Sequence, residues 1–143
     1  MGGQPRREAG ARSPPLSPAA SGKSVLIADG SLVMRRVIER SLRLAGLEPQ
    51  QVYEANDGNE ALALAQQHRP SVILTDLDLA GLDGMALLRQ LKQSEETQNL
   101  PLVFITSQAV EAQVTEALEL GARGYIRKPF TAEQVRDYIA PLF

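Results

Sequence analysis

Four side chains that could handle a phosphate group follow short apolar runs in this sequence. Asp29 follows VLIA, Asp76 follows VILT, Thr106 closes PLVFIT, and Lys128 follows YIR. Two neighbouring carboxylates repel each other unless they share a cation, and oxygen ligands of this kind suit Mg²⁺. A hydroxyl and an ammonium can bind an anionic oxygen. Together these groups could neutralise a phosphoryl group during its transfer, with Asp76 as the attacking carboxylate.

The stretch around Asp76 reads SVILTDLDLAGLDG, from Ser71 to Gly84. Its unbroken run of apolar and β-branched residues is typical of a strand that is buried on both faces of a parallel sheet. Taken alone, an aspartate at the end of this strand could simply turn or cap the chain. Ligands bind at the carboxyl ends of strands in open α/β sheets, however, so the same position also suits chemistry.

Short apolar runs alternate with helical patterns from Lys23 onward, which predicts five strands and five helices. The predicted strands are 24–28, 51–55, 72–75, 101–106 and 125–127. The predicted helices are 32–45, one from Asn56 or Asp57 to about His68, one from about Asp83, one bearing Val110 to Leu118 and ending at Gly121, and one from Thr131, where Gln134 can complete a capping box. This alternation indicates an α/β fold with a parallel sheet, whose right-handed crossovers bring all strand carboxyl ends to one edge. The four side chains should therefore meet at that edge.

The composition is that of a globular protein, since 43% of the 143 residues are hydrophobic and 22% are charged. Cysteine is absent, so disulfides and thiolate metal sites are excluded. The apolar runs are too short for a membrane span, and the first residues lack the apolar core of a secretory signal. We therefore predict a cytoplasmic protein without a membrane partner. A net charge of −2 gives no electrostatic reason to expect nucleic-acid binding.

The first 22 residues are rich in Pro, Gly, Ala, Ser and Arg and carry almost no large apolar side chains. Such a segment cannot offset its ordering entropy by burial. We therefore predict a disordered N-terminal segment over residues 1–22 and one folded domain over residues 23–143.

Hydrolysis by a catalytic triad finds no support in the sequence. His68, the only histidine, lies at the end of a predicted helix, where an ordinary surface or capping role is expected. GARG, from Gly121 to Gly124, is a helix stop and turn, and no phosphate-binding glycine motif occurs. A small-molecule hydrolase that uses Asp76 is also disfavoured, because no general base for water is evident.

Four segments together resemble the receiver domain of two-component response regulators, in the style of the single-domain chemotaxis regulator. They are VLIADGSLVMRR, TDLDLAGLDG, VFITSQ and GYIRKPF, and the resemblance extends from Lys23 to Phe143. It implies a flavodoxin-like, doubly wound sheet with strand order 2-1-3-4-5 and five helices. It also implies that a sensor histidine kinase phosphorylates Asp76 in the presence of Mg²⁺.

The same resemblance implies a role for each matching residue. Asp29 would bind the metal directly or through water, together with Asp76 and the backbone carbonyl of Asp78. Thr106 and Lys128 would contact the phosphoryl group, and the Lys128–Pro129 peptide bond would be cis. Thr106 and Tyr125 would form the conformational switch. Apart from the resemblance, Tyr125 would simply be a strand residue that packs on a helix.

Two positions depart from the receiver pattern. Receivers usually carry two adjacent acids after the first strand, and the second is the direct metal ligand, whereas Gly30 follows Asp29 here. Loss of even an indirect metal contact costs roughly 10- to 100-fold in affinity or activity, so we expect weak Mg²⁺ binding. An inward shift of Asp29, or a water-bridged Asp78 carboxylate, could compensate. Ala80 stands where proline is common, and only a modest effect on the loop is expected.

Two functions are compatible with these features. The first is a stand-alone phosphorelay receiver that is not an enzyme apart from catalysing its own phosphorylation and dephosphorylation. Its sequence ends at Phe143, soon after the last predicted helix, so output is expected to pass through a downstream protein at the fourth helix, fifth strand and last helix. The alternative, motivated by Gly30, is a pseudo-receiver that binds its partner without phosphorylation.

Overall fold

Strands and helices alternate throughout the part of the chain that the computed structural model describes, residues 22–108 and 110–143. The strands are β1 (Ser24–Ala28), β2 (Gln51–Ala55), β3 (Val72–Thr75), β4 (Leu102–Thr106) and β5 (Gly124–Arg127). The helices are α1 (Leu32–Leu44), α2 (Gly58–His68), α3 (Gly84–Lys92), α4 (Glu111–Glu119) and α5 (Ala132–Ile139), followed by a 3-10 turn at Ala140–Leu142. The disorder predicted for residues 1–22 falls outside the described residues, except for Gly22, and stays a prediction.

The five strands form one parallel sheet in the order β2-β1-β3-β4-β5. Ala28 at the end of β1 pairs with Ala55 on one side and with Thr75 on the other, and Thr106 at the end of β4 pairs with Arg127. The strands therefore end at one edge of the sheet, where β4 extends two residues beyond β3 because Thr75 pairs with Phe104. The predicted α/β fold and strand order are confirmed.

Alternate residues of the central strands pack on opposite faces of the sheet, as the two-residue period of a strand requires. On one face, Leu26 and Phe104 lie in a cluster with residues of α2, α3 and α4. On the other face, Ile27 and Ile105 pack with residues of α1 and α5. Both faces are covered, which explains why the strand sequences are nearly continuous apolar runs.

Side-chain caps start four of the five helices close to the predicted places. Ser31, Asp57, Asp83 and Thr131 each accept a hydrogen bond from a backbone N–H three residues later. The predicted capping box of Thr131 and Gln134 is present. Helix α4 differs, because Val110 is its N-cap residue rather than a helical residue and offers no side-chain hydrogen bond.

Some apolar side chains of the helices lie outside the faces that the helices bury against the sheet. Ile38 and Leu42 of α1 are buried, but Val33 is 71% exposed and Val37 is also exposed, although all four share the helical spacing. On α4, Leu118 is exposed while its neighbour Ala117 is buried. Among the described residues, no helix combines the length and the apolar character needed to cross a bilayer.

The loop after β3 lies directly against the start of α2. Gly58 donates its backbone N–H to the carbonyl of Ala80, at 3.1 Å. A Cβ atom on Gly58 would lie only 1.5 Å from the backbone oxygen of Leu82, so a side chain at this position requires the backbone to move. The close approach of these two segments holds the loop that follows Asp76.

Gly58→Ala is expected to lower the free energy of unfolding by about 3 kcal/mol, because the clash is with backbone atoms that belong to a second anchored segment. Urea unfolding measures this change. Gly30→Ala is the matched control, since a Cβ atom at Gly30 would meet only the backbone oxygen of Asn56, at 3.8 Å. Equal stability of the two variants would contradict the close packing described here.

Candidate functional site

The four side chains singled out by the sequence follow four neighbouring strands and meet at the carboxyl edge of the sheet. Asp29 and Asp76 come directly after β1 and β3, Thr106 is the last residue of β4, and Lys128 comes directly after β5. The site is thus built from segments as far as 99 residues apart in the chain. Only the parallel topology brings them together.

The ammonium group of Lys128 lies between the two carboxylates. Its Nζ atom donates to Oδ2 of Asp29 at 2.7 Å and to Oδ2 of Asp76 at 3.1 Å. The Lys128 side chain is only 14% exposed. Partial burial alone would lower the pKa of Lys128, but its hydrogen bonds to Asp29 and Asp76 outweigh burial and raise the pKa above its ordinary value. The Lys128 side chain is therefore protonated and positively charged at neutral pH.

Asp76 is surrounded by hydrogen-bond donors. Its Oδ1 atom accepts the backbone N–H of Asp78 at 3.2 Å, and the hydroxyl of Thr106 and the ammonium of Lys128 also contact the carboxylate. Partial burial raises the pKa of Asp76, but these hydrogen bonds together lower it below the ordinary value for aspartate. The carboxylate is therefore ionised at neutral pH, as a nucleophile must be.

Asp29 is almost completely buried, and both of its carboxylate oxygens have partners. Oδ1 accepts the backbone N–H of Ser31 at 2.8 Å, while Oδ2 accepts from Lys128. Its own backbone N–H donates to Ala55 in β2, at 3.1 Å. Gly30, the next residue, is exposed and brings no acid to the site. The structure therefore couples Asp29 to Lys128, a contact that residue types and spacing did not specify.

Two hydrogen bonds to Gln108 join Thr106, beside Asp76, to Tyr125. Thr106 contacts Asp76, and its Oγ1 atom accepts the backbone N–H of Gln108 at 3.1 Å. The Tyr125 hydroxyl in turn donates to the Gln108 carbonyl, and its ring lies 5.9 Å from that of Phe104. Partial burial, followed by the charge of Asp76, raises the pKa of Tyr125. The two residues expected to form a switch thus both bind the backbone of Gln108, Thr106 at its N–H and Tyr125 at its carbonyl.

The comparisons with known proteins agree with this architecture. A family model of the response regulator receiver domain matches residues 25–140. The chain belongs to the response regulator receiver family. It is 35% identical to chemotaxis protein CheY-3 of Vibrio cholerae over 119 residues, which cover 83% of this chain and 90% of that protein.

Solved receiver structures superpose on most of the chain. Vibrio cholerae chemotaxis protein CheY4 is 28% identical, with a TM-score of 0.74, and the match covers 86% of this chain and all of that one. The receiver domain of sensor histidine kinase PA1611 from Pseudomonas aeruginosa, with a magnesium ion coordinated in its active site cleft, is 28% identical with a TM-score of 0.70. That match covers 82% of this chain and 93% of that domain. The resemblance identified from the four sequence segments is confirmed.

The donor set of this receiver domain fits Mg²⁺ in a minimal form. Asp29 and Asp76 both accept a hydrogen bond from Lys128, so their carboxylates lie close to the same ammonium. Mg²⁺ commonly takes one or two carboxylates with water and a phosphate oxygen. Among the described residues, no group of three acids, histidines or cysteines could hold a metal. Asp78 is exposed, and metal binding through its carbonyl stays a prediction. If Asp29 binds a metal ion, its Oδ2 atom either keeps the hydrogen bond from Lys128 as well or gives up that hydrogen bond.

Two further residues of this edge were not assigned a role from the sequence. Arg35, in the VLIADGSLVMRR segment, donates from Nη1 to the backbone carbonyl of Asp29 at 2.6 Å and from Nε to Glu54 at 2.8 Å. The two adjacent arginines at the start of a predicted helix were visible in the sequence, but the sequence did not show that their partner is Glu54 on β2.

The expected cis bond at Lys128–Pro129 is present. His68 ends α2 and stacks on Tyr53, with ring centroids 4.1 Å apart.

The surface next to Tyr125 is a shallow hollow between α4, β5 and α5. Its volume is about 470 Å³, and its lining includes Val114, Leu118, Tyr125 and Tyr138. Leu118 and Tyr138 are exposed. The hydrogen bonds that connect Thr106 with Tyr125 therefore end at an open surface that carries apolar and aromatic side chains.

Proposed function

We propose that the chain accepts a phosphoryl group on Asp76 from a sensor histidine kinase and passes the signal to a partner protein. The observation that carries this proposal is the convergence of Lys128 and Thr106 on an ionised Asp76 carboxylate. Membership of the receiver family supports it, because signalling in two-component systems is the role of the family.

The proposed transfer exchanges one bond for another. A carboxylate oxygen of Asp76 attacks phosphorus while the nitrogen–phosphorus bond of the kinase phosphohistidine breaks, and the departing imidazole takes a proton from water. Lys128 and the Thr106 hydroxyl pair with the phosphoryl oxygens, and this positioning supplies most of the catalysis. A bound Mg²⁺, held by Asp29 and Asp76, would supply further neutralisation of negative charge.

The proposed output begins with the charge that phosphorylation adds. By analogy with phosphorylated hydroxyls, the new group carries about −1.5 to −2 charges, which strengthens its contacts with Thr106 and Lys128. A near-complete shift from one conformation to the other requires the phosphoryl group to favour the second by about 5.5 kcal/mol. Two or three charge contacts of a few kcal/mol each suffice for this. Because Thr106 joins Tyr125 through Gln108, the change reaches the hollow between α4, β5 and α5, where a downstream protein would bind.

Incubation of the protein with acetyl phosphate and Mg²⁺ tests the acceptor directly. Mass spectrometry should detect one phosphate adduct on the unmodified chain and none on Asp76→Asn, because the amide is not a competent nucleophile. Asp137→Asn is the matched control: Asp137 is a well-exposed aspartate of α5, and its variant should still carry the adduct. Loss of the adduct in Asp137→Asn but not in Asp76→Asn would overturn the assignment.

A phosphorylation-independent binding module is the second candidate, and two observations favour it. Gly30 leaves the site without the second of the two adjacent acids that receivers usually carry after β1. The hydrogen bonds of Thr106 and Tyr125 to Gln108 are also present without a phosphoryl group. Titration with beryllofluoride, which imitates a bound phosphoryl group, separates the candidates. A shift of the Tyr125 resonances supports the receiver function, whereas absence of both a shift and an adduct supports the binding module.

A further inference from the structure

The side chain of Arg35 bridges three parts of the fold beside the candidate site. It starts from the first turn of α1, donates to the Asp29 carbonyl at the end of β1, and forms an ion pair with Glu54 on β2. The Arg35 side chain is only 12% exposed, and Glu54 is buried. A planar guanidinium can make both contacts at once, which a lysine ammonium on a flexible stem does not reproduce.

The turn that carries Asp29 needs such a restraint because Gly30 follows it. Glycine has more backbone freedom than any other residue, so a turn containing it loses more entropy when it is fixed. Asp29 is held through its N–H by Ala55, through Oδ1 by Ser31, through Oδ2 by Lys128, and through its carbonyl by Arg35. Of these four contacts, only that of Arg35 brings a side chain to the backbone of Asp29.

The geometry points to Arg35, anchored by Glu54, as a positioning residue for phosphoryl transfer. It fixes the turn of Asp29, and the Asp29 carboxylate in turn holds the Lys128 ammonium against Asp76. Arg35 does not touch the acceptor, so its effect passes through Asp29 and Lys128. The inference rests on the proposed function for its kinetic consequence, but not for the order of the Lys128 side chain.

Arg36 provides a matched control on the same helix. Its Nε atom lies 3.6 Å from the other carboxylate oxygen of Glu54, and its side chain is 50% exposed. It therefore shares the charge and the acidic partner of Arg35, but the contact with the Asp29 carbonyl is made by Arg35. If the loss of one positive charge near β2 were enough, substitution of Arg35 and substitution of Arg36 would have the same effect.

The test compares Arg35→Met, Arg35→Lys and Arg36→Met with the unmodified protein. In the ¹⁵N spectrum of the lysine ammonium groups, Lys128 should give a slowly exchanging signal, assigned by its loss in Lys128→Met. That signal should broaden or disappear in both Arg35 variants and persist in Arg36→Met. Phosphorylation by acetyl phosphate should slow roughly tenfold in Arg35→Met, mainly in kcat and not in KM, since the loss is one of orientation.

The outcomes separate this inference from the proposed function. If the unmodified protein takes no phosphate, the proposed function fails, but the Lys128 signal still decides whether Arg35 orders the site. If Arg35→Met does not fold, the charge-conserving Arg35→Lys variant decides. A folded Arg35→Lys protein with an unchanged Lys128 signal, or an equal loss in Arg36→Met, would overturn the positioning role.

Discussion

Lys128→Met is expected to slow phosphorylation of Asp76 by acetyl phosphate roughly 100- to 1,000-fold, the usual effect of removing one group that stabilises developing charge. Lys128 contacts the acceptor oxygen directly, at 3.1 Å, and methionine keeps much of its length without a donor. The time course of the phosphate adduct measures the rate. A loss of less than about threefold would show that the ammonium does not act on the transferred group.

The same variant should lose stability at neutral pH by about 3 kcal/mol, because Asp29 and Asp76 would face each other without a cation. In the unmodified protein, the lowered pKa of Asp76 contributes stability above the unfolded value of about 4, and this is lost as pH falls through the lower folded value. In Lys128→Met, the hydrogen bond from Lys128 that lowers the pKa of Asp76 is lost, while burial still raises it. Its deficit should therefore shrink as pH falls towards 4.

A second substitution provides the control for this pH dependence. Asp29→Asn in the Lys128→Met background removes one of the two facing charges, so it should recover most of the lost stability at pH 7. Urea unfolding of the single and double variants at pH 7 and at about pH 4 measures both effects. A double variant that is no more stable than Lys128→Met would show that the two carboxylates do not repel each other in the folded protein.

Gly30→Asp is expected to increase the affinity for Mg²⁺ roughly 10- to 100-fold, by restoring the acid that receivers usually carry at this position. The backbone permits the change, because a Cβ atom at Gly30 meets only one atom, at 3.8 Å, and the residue is not in the left-handed region. The third carboxylate would add negative charge beside Asp29 and Asp76, which a divalent ion offsets. Isothermal titration calorimetry measures the affinity without any need for phosphorylation.

Gly30→Asn is the appropriate control for this gain, since it has the shape of aspartate without its charge. It should leave the affinity for Mg²⁺ within a few-fold of that of the unmodified protein. If the aspartate variant binds Mg²⁺ no more tightly than the asparagine variant, then Gly30 does not limit the affinity for Mg²⁺. The expectation drawn from the receiver pattern would then be wrong for this chain.

The fold could be predicted from the sequence because local signals and topology agreed. Each strand is a short apolar run, four helices begin at a capping side chain, and the predicted bounds differ from the observed ones by only a residue or two. Helix faces were harder to predict. Val33 and Val37 have the spacing of core residues but are exposed, because the buried stripe of α1 is narrower than its apolar stripe.

The predicted site residues meet because parallel strands bring their carboxyl ends to one edge, a rule that needs no side-chain detail. The pairing of oxygens with donors did not follow from that rule. The sequence placed Lys128 near a phosphoryl group, whereas the structure also pairs it with Asp29. The predicted strand order puts β2 beside β1, but it did not show that Arg35 reaches both Glu54 and the Asp29 carbonyl. Which of several nearby charges become partners depends on side-chain reach, and spacing along the chain does not reveal it.

Asp76 and Lys128 lie 52 residues apart in the chain, and this order of synthesis has a consequence on the ribosome. A nascent chain that has emerged only as far as β4 already contains both carboxylates and the hydroxyl of the site, but not Lys128. The ability to take up phosphate should therefore arise late, when β5 joins the sheet. Labelling of ribosome-bound chains of increasing length would then report the moment at which the last strand docks.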